Sequence, residues 1–502
     1  MGFYKSAISG AKPENRNKPL TFKEKLAYAA GDFGCNMSFA LSGTYLMLFW
    51  TEFIGFSKHP NPKIASAKTL AIWAIIILLV KIWDAINDPI IGGLMDKVLA
   101  KPGQSKFKPW IFWGSIALMF GGALCFIPIR TAPIWVRIMV CVLGYLIWDM
   151  SYTIVNVPYG SLNSAISTNS TERASLSTWR SIGSFVGNIG LTIVLPMVVY
   201  DANGALIGNL MFVVGLVTGL IGFICFQFLC RGTTERVIVD YEAQKKENKQ
   251  SYFKSLGNFF KNKAAVSYTL VSIFQLLAMA FMQTYVVYFF KAAWPKYVKV
   301  SGLFSFLGML PMFLFIPFAT KLVKRFGKKE ASTWPNIFGI IAGVILMVLP
   351  LENMKTAVGI TLFTISSVFI GLAISVNSLV GWAMVADCID SQEIKTGVRE
   401  EGVVYATYSL GRKLAQGIGS ALVSAFLIIA AYNTKLGDKG LPQQDGVALK
   451  IRLILGAVYV VCFVAQFILL QFVYDLDKSK VEEMEKTLGR SNDDLVGETL
   501  DE

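Results

Sequence analysis

One stretch of the sequence combines two carboxylates, an amide and an ammonium group at helical spacing. Lys81, Asp84 and Asp88 are spaced i, i+3 and i+7, and Asn87 borders them. Residues at these spacings share one face of an α-helix, so the pattern predicts a polar face that points inward. Carboxylate and amide oxygens suit a hard monovalent cation such as Na⁺, and paired carboxylates can instead share a proton. These residue types leave Na⁺ and H⁺ both open.

The same residues also have a purely structural interpretation. Lys81, Asp84 and Asp88 can form an ion-pair cluster near one end of the helix, or stabilise a kink at Pro89. A charged residue in the middle of an apolar helix raises the free energy of inserting that helix into a membrane by about 2.5 to 3.5 kcal/mol. A residue kept at such a cost favours a functional role. We therefore predict a cation site in this segment, with Na⁺ as the candidate metal ion. Its predicted ligands are Asp84, Asn87 and Asp88.

A second polar group lies farther along the chain, at Tyr152, Thr153 and Asn156. These residues fall within one helical turn, and Pro158 frees a backbone carbonyl near them. An aromatic ring beside hydroxyl and amide groups suits a hydroxyl-rich ligand. Asn156 can equally be a hydrogen-bonding contact between helices.

Three further residues are candidates for substrate binding. Asn36 lies one helical turn beyond Asp32, which we interpret as a charge at a helix end. Arg180 begins the fifth apolar stretch, and Lys413 lies inside the eleventh. A cation from the C-terminal half that faces carboxylates of the N-terminal half would form a contact that ligand binding alters. Such a contact would lock the protein in one of two states.

These residues belong to a chain that is too apolar for a soluble protein. Of its 502 residues, 54% are apolar and 16% are charged, whereas soluble domains carry about 25% charged residues. Apolar runs of about 20 residues, long enough to cross a bilayer as helices, recur from end to end. We predict an all-α membrane protein. Its twelve spans fall at about 26–53, 69–95, 109–129, 134–158, 180–200, 206–230, 264–292, 299–322, 333–350, 357–386, 403–431 and 450–474.

The charges of the loops predict how the chain is oriented. Lys and Arg concentrate before residue 26 and in the loops 97–108, 231–263 and 321–329. By the positive-inside rule both termini face the cytoplasm of a multi-pass protein in the cell membrane. The longest polar loop divides the spans six and six, as in transporters built from two pseudo-symmetric bundles. The predicted parts are a cytoplasmic segment 1–25, a six-helix bundle 26–230, a cytoplasmic loop 231–263, a six-helix bundle 264–474 and a cytoplasmic tail 475–502.

Several functions are not expected from this composition. The net charge of +14 is spread over short loops, which argues against nucleic-acid binding. The seven cysteines contain no C-x-x-C pair, so neither a disulfide framework nor a zinc site is indicated. His59 is the only histidine and no Walker A segment exists, so we expect no enzyme activity, no ATP-driven step and no cofactor.

Several segments of the chain resemble the glycoside–pentoside–hexuronide:cation symporter family, to which melibiose permease belongs. The resemblance implies a twelve-helix major facilitator fold that imports a sugar or glycoside with Na⁺ or H⁺. We expect a lipid-embedded monomer as the transport unit. The matching segments are 45–52, 82–92, 106–110, 152–158, 172–180 and 384–387, together with Lys413.

The resemblance also implies roles for single residues. The residues that match the family's cation site are Asp84, Asn87, Asp88 and Thr153, and those that match its inner-cavity cations are Arg180 and Lys413. The sugar site departs from melibiose permease: Cys35 and Asn36 replace a Lys-Asp pair, Asn156 replaces an aspartate and Gly160 a tryptophan. The loss of two carboxylates and a stacking ring argues against a galactoside. A glucuronide or a xyloside is a candidate instead.

Two other functions fit the same fold. A sodium-dependent lysophospholipid transporter shares the acidic motif of the second span, and it predicts an apolar lateral opening and competition by lysolipids. A non-transporting membrane sensor would bind its ligand without substrate-dependent cation flux.

Overall fold

The computed structural model describes residues 7–10, 18–97, 104–167, 170–236, 257, 259–397 and 401–488. These residues form twelve long helical segments that correspond to the predicted spans. Nine of the described helices are long and apolar enough to cross a membrane. The helices are α1 (Phe22–Leu48), α2 (Pro62–Lys97), α3 (Lys108–Leu124), α4 (Ile134–Ile166), α5 (Ser170–Val199), α6 (Gly208–Gly232), α7 (Lys263–Ala280), α8 (Ser301–Phe326), α9 (Asn336–Val348), α10 (Thr356–Thr396), α11 (Glu401–Ile429) and α12 (Val447–Ile468).

Shorter segments continue or connect these helices. A π-helical turn extends α1 and another extends α12, and α7 continues through a π-helical turn into a final helical segment. The turn after α1 is Phe49–Ile54, and the turn after α12 is Leu469–Val473. The turn after α7 is Phe281–Tyr285, and the helical segment that follows it is Val286–Ala293. The remaining short helices are Pro295–Val300, Lys328–Thr333, Leu351–Asn353, Thr434–Asp438 and Lys478–Thr487.

The first helix begins and ends at residues suited to those positions. The Thr21 side chain accepts a hydrogen bond from the Glu24 amide, and the Glu24 carboxylate accepts one from the Thr21 amide at 2.9 Å. This capping box satisfies two amides at the start of α1. At the other end Gly55 has a φ of +64°, a conformation that glycine adopts without steric cost. α1 is not among the nine apolar helices because polar residues such as Asp32 and Asn36 run along it.

The described residues divide into two compact units. The first unit contains the described residues within Met1–Glu247, Val286–Leu303 and Ser420–Val447, and the second contains those within Asn248–Tyr285, Phe304–Gly419 and Ala448–Glu502. The predicted bundles 26–230 and 264–474, and the predicted cytoplasmic segments 1–25, 231–263 and 475–502, stay predictions. Much of these three segments lies outside the described residues.

In the first unit, α1 packs against both α5 and α6, and α3 packs against α4 and α6. Glycines allow the closest approach. A Cβ atom on Gly34 would lie 3.1 Å from the carbonyl oxygen of Gly222, and the reverse distance is also 3.1 Å. Small residues at such crossings let helix backbones approach within a membrane. Because α1 also packs against α5, the polar residues of these two helices lie side by side.

The two faces of α2 differ in exposure as the sequence predicts. Ile75, Leu79 and Ile90 are exposed, whereas Asp84 and Asn87 are buried. An apolar exposed face is expected where a helix meets lipid. The polar face therefore packs inside the first unit.

In the second unit, α7 packs against α10 and against the π-helical turn that extends α12, and α9 packs against α10. Tyr268 lies in the core of this unit and donates a hydrogen bond to Asn377 at 3.0 Å. At one end, Lys328 pairs with Asp387 at 2.6 Å. These contacts hold α10 in place. The next helix, α11, carries Lys413.

Candidate functional site

A buried charge cluster joins α2 and α4. Asp84 is 7% exposed and Asp149 is 4% exposed. Nζ of Lys81 lies 3.2 Å from Oδ2 of Asp84 and 4.0 Å from Oδ1 of Asp149. It also lies 5.9 Å from the centre of the Tyr145 ring. One ammonium group is therefore shared between carboxylates on neighbouring helices, and the sequence had indicated only the one on α2.

The other predicted cation ligands lie near this cluster. Asn87 follows Asp84 by three residues and is 2% exposed, and its Nδ2 has no hydrogen-bond partner among the described residues. Thr153 is buried on α4, one turn beyond Asp149. The side chain of Asp88 lies outside the described part of the structure, so its role stays a prediction. Within the described residues, no three His, Cys, Asp or Glu side chains converge on one point.

Arg180 forms an ion pair between α5 and α1. Its Nε donates a hydrogen bond to Oδ1 of Asp32 at 2.9 Å. The guanidinium carbon lies 4.8 Å from the centre of the Tyr159 ring, close enough for a cation–π contact. Asp32 is ten residues inside α1 and is not a helix-end charge, so that interpretation is wrong. Its carboxylate instead compensates the charge of Arg180.

A line of amide and hydroxyl groups continues from this ion pair between the same two helices. Nδ2 of Asn36 donates to Oγ of Ser184 at 2.9 Å, and its Oδ1 accepts from Nδ2 of Asn188 at 3.4 Å. Thr192 donates to Oδ1 of Asn188 at 3.3 Å. The prediction singled out Asn36 alone. The α5 residues of this line, Ser184, Asn188 and Thr192, repeat every four residues, and this helical spacing was the signal that could have found them.

Tyr152 and Asn156 both contact α1. The Tyr152 ring lies 5.7 Å from that of Phe39 and 5.8 Å from that of Trp148, centre to centre. Oδ1 of Asn156 accepts a weak hydrogen bond from Sγ of Cys35 at 3.9 Å. These contacts bring the predicted aromatic and amide groups to the helix that carries Asn36. This contact is compatible with both interpretations of Asn156, as a substrate-binding residue or as a hydrogen-bonding contact between helices.

Lys413 lies in the second unit and is half-buried on α11. Five residues earlier on the helix, the hydroxyl of Tyr408 lies 2.9 Å from that of Ser272 and accepts from Arg412 at 3.3 Å. The predicted contact of Lys413 with carboxylates of the N-terminal half stays a prediction.

A third polar cluster, which the sequence did not indicate, lies at the far end of α1. Lys291 donates a hydrogen bond to the Glu52 carboxylate, and Tyr432 donates to Oε1 of Glu52 at 2.8 Å. The hydroxyls of Thr51 and Tyr288 lie 3.2 Å apart. The side chains of Lys291 and Glu52 are 1% and 0% exposed. This buried cluster ties the end of α1 to the end of α7 and to the segment that follows α11.

Comparison with known proteins identifies the family. A family model described as MFS/sugar transport protein matches residues 27–478. An uncharacterized symporter, YjmB of Bacillus subtilis (strain 168), is 32% identical over 83% of this chain and 85% of its own length. An isoprimeverose transporter of Lactiplantibacillus pentosus is 28% identical over 82% of this chain and 81% of its own.

A solved structure supports the fold. The crystal structure of a D-xylose-proton symporter has a TM-score of 0.59 and 13% sequence identity, and the match covers 90% of this chain and 98% of that one. The resemblance to the glycoside–pentoside–hexuronide family and the all-helical major facilitator fold are confirmed. The prediction of a membrane transporter rather than an enzyme is confirmed as well. The chain belongs to the MFS/sugar transport protein family.

Proposed function

We propose that this protein imports a sugar or glycoside together with Na⁺ or H⁺ by alternating access. The observation that carries the proposal is the position of α4 between two polar groups. Asp149 of α4 contacts Lys81 in the charge cluster of α2, whereas Tyr152 and Asn156 of α4 contact α1. A small movement of α4 on cation binding therefore changes both groups at once. Such a shared element is what coupling between two ligands requires.

The cation binds at the charge cluster in this proposal. Asp84 supplies a carboxylate oxygen, Thr153 a hydroxyl oxygen and Asn87 an amide oxygen, which are the ligand types that hard cations prefer. Protonation of Asp84 would have a similar electrostatic effect, since it removes the same negative charge. The proposal therefore holds for either ion.

The sugar binds along the amide and hydroxyl line between α1 and α5. Asn36 is hydrogen-bonded to both Ser184 and Asn188, and a ligand with several hydroxyls can replace these bonds. The ring of Tyr152 offers an apolar surface beside them. A set of polar groups of this kind supports a sugar and not a lysophospholipid as the substrate. The relative named isoprimeverose transporter fits this substrate class.

The orientation follows the positive-inside rule, which places both termini in the cytoplasm of a cell-membrane protein. The start of α1 is then cytoplasmic, and the cluster of Glu52, Lys291 and Tyr432 lies at the extracellular ends of its helices. In this proposal the cluster is the gate on that side, and it opens when substrate enters from outside.

Transport by purified protein in proteoliposomes tests the proposal. Labelled glucose, xylose, glucuronate and a xyloside are each offered with no gradient, with an inward Na⁺ gradient and with an inward proton gradient. We expect one gradient to drive accumulation of at least one sugar. Uptake of a lysophospholipid in place of every sugar would favour the lipid transporter. Sugar binding without any flux would favour the sensor.

A further inference from the structure

Asp149 is a buried carboxylate that the sequence did not indicate as part of the site. It lies on α4, four residues after Tyr145 and four before Thr153, so the three residues share one helix face. That face meets Lys81 of α2, whose Nζ lies 4.0 Å from Oδ1 of Asp149 and 5.9 Å from the Tyr145 ring centre. The same face thus offers Lys81 a carboxylate and an aromatic ring.

Lys81 is closer to Asp84 than to Asp149, at 3.2 Å against 4.0 Å. A lysine ammonium sits on a flexible four-carbon stem and has three rotatable donors. A rotation of the side chain can therefore move the ammonium from one carboxylate to the other without any movement of a helix.

A cation bound to Asp84 must compete with this ammonium. Two positive charges that share one carboxylate repel each other strongly in a weakly screened interior. Displacement of Lys81 without a second acceptor would leave a buried charge unpaired, which is more costly than the original pair. Asp149 removes this cost because it already lies within ion-pair distance.

We propose that Asp149 is a positioning residue for cation coupling, which receives the Lys81 ammonium when the coupling cation takes its place at Asp84. The inference rests on the proposed cation coupling and adds a residue and an exchange step to it. Asp149 does not touch the cation in this account. It sets the affinity of the site through Lys81.

The test is a double-mutant cycle in proteoliposomes, read out as the cation concentration that gives half-maximal sugar uptake. Asp149→Asn should raise that concentration by about tenfold or more, since neighbouring charges couple strongly. Lys81→Gln removes the competing ammonium and should lower it. In the Lys81→Gln background, Asp149→Asn should have little further effect. Asp149→Glu should restore the wild-type value in large part.

Each outcome separates this inference from the proposed function. An Asp149→Asn protein with the cation dependence of the wild type overturns the role of Asp149. An equal effect of Asp149→Asn with and without Lys81 also overturns it, because Asp149 would then act directly. If the Asp149→Asn protein fails to fold, the Lys81→Gln protein provides the test. A half-maximal cation concentration that is unchanged or raised in Lys81→Gln would contradict the inference. Wild-type uptake that needs neither Na⁺ nor H⁺ would instead overturn the proposed coupling itself.

Discussion

Lys291 and Glu52 form an ion pair in which both side chains are fully buried, although 239 residues separate them in the chain. Burial of a charge pair is favourable only when both partners are present and hydrogen-bonded. Here Tyr432 supplies a further hydrogen bond to the carboxylate. The pair therefore holds its three segments together, and removal of either partner alone would weaken that connection.

Replacement of Lys291 with methionine should destabilise the protein by about 3 to 5 kcal/mol, because it leaves the Glu52 carboxylate buried without its cation. The melting temperature in detergent measures this effect. The Glu52→Gln and Lys291→Met double variant should recover much of the loss.

A control is the ion pair of Lys478 and Glu482, whose side chains are 46% and 57% exposed. Glu482→Gln should change stability by less than about 1 kcal/mol. Equal effects of Lys291→Met and Glu482→Gln would contradict the importance of burial.

Asp32→Asn should shift sugar preference toward acidic sugars. The substitution removes the carboxylate that compensates Arg180 at 2.9 Å and leaves a guanidinium able to bind a carboxylate of the ligand. Competition of glucuronate against glucose for uptake measures the shift, which we expect to exceed about tenfold in the ratio of inhibition constants, as is typical for a charged hydrogen bond. Ser184→Ala, which leaves the ion pair intact, should not change that ratio. A ratio unchanged in Asp32→Asn would place the sugar away from Arg180.

Asn188→Ala should weaken sugar binding without a change in cation affinity. Asn188 bonds Asn36 and Thr192 in the line between α1 and α5, and it lies outside the charge cluster. Loss of its amide should raise the half-saturating sugar concentration by about tenfold. Ser181→Ala is the control, because Ser181 is exposed on the same helix and donates to the backbone carbonyl of Ser177, one turn earlier. A parallel loss of cation affinity in Asn188→Ala would show that the two groups are not separate.

Stability should fall as the pH falls below the ordinary carboxylate range. Burial raises the pKa of Glu24, but hydrogen bonds from Arg236 and Thr21 outweigh it, so the pKa lies below the ordinary value of 4.5. A group with a depressed pKa stabilises the folded state above its unfolded pKa, and this contribution is lost as the pH falls through the folded pKa. The melting temperature should therefore drop below about pH 4.5.

Arg236→Gln should flatten this drop, since it removes the bond that lowers the pKa of Glu24. Glu235 has the opposite effect on stability, because burial raises its pKa. Its contribution to the stability of the folded state is present below its unfolded pKa and is lost as the pH rises through its folded pKa. An identical acid dependence of the melting temperature in wild type and Arg236→Gln would contradict the assignment to Glu24.

The sequence predicts those parts of the site that depend on local spacing. Asp84 and Asn87 share a face of one helix, and the buried side of α2 could be inferred from that spacing and from the apolar residues opposite. The partners of Asp32 and Glu52 could not be inferred, because they lie 148 and 239 residues away and no local pattern marks them. Asp149 was missed for the same reason. It is paired through a different helix, and a single acidic residue in an apolar run does not reveal its partner.

The most direct measurement of the central claim is sugar-dependent cation entry into proteoliposomes under zero membrane potential. The account predicts that addition of a transported sugar to the wild-type protein starts an inward flux of Na⁺ or H⁺. It predicts that Asp84→Asn abolishes this flux while the protein still exchanges sugar across the membrane. Equal sugar-driven cation entry in the two proteins, or none in a wild type that accumulates sugar, would contradict the account.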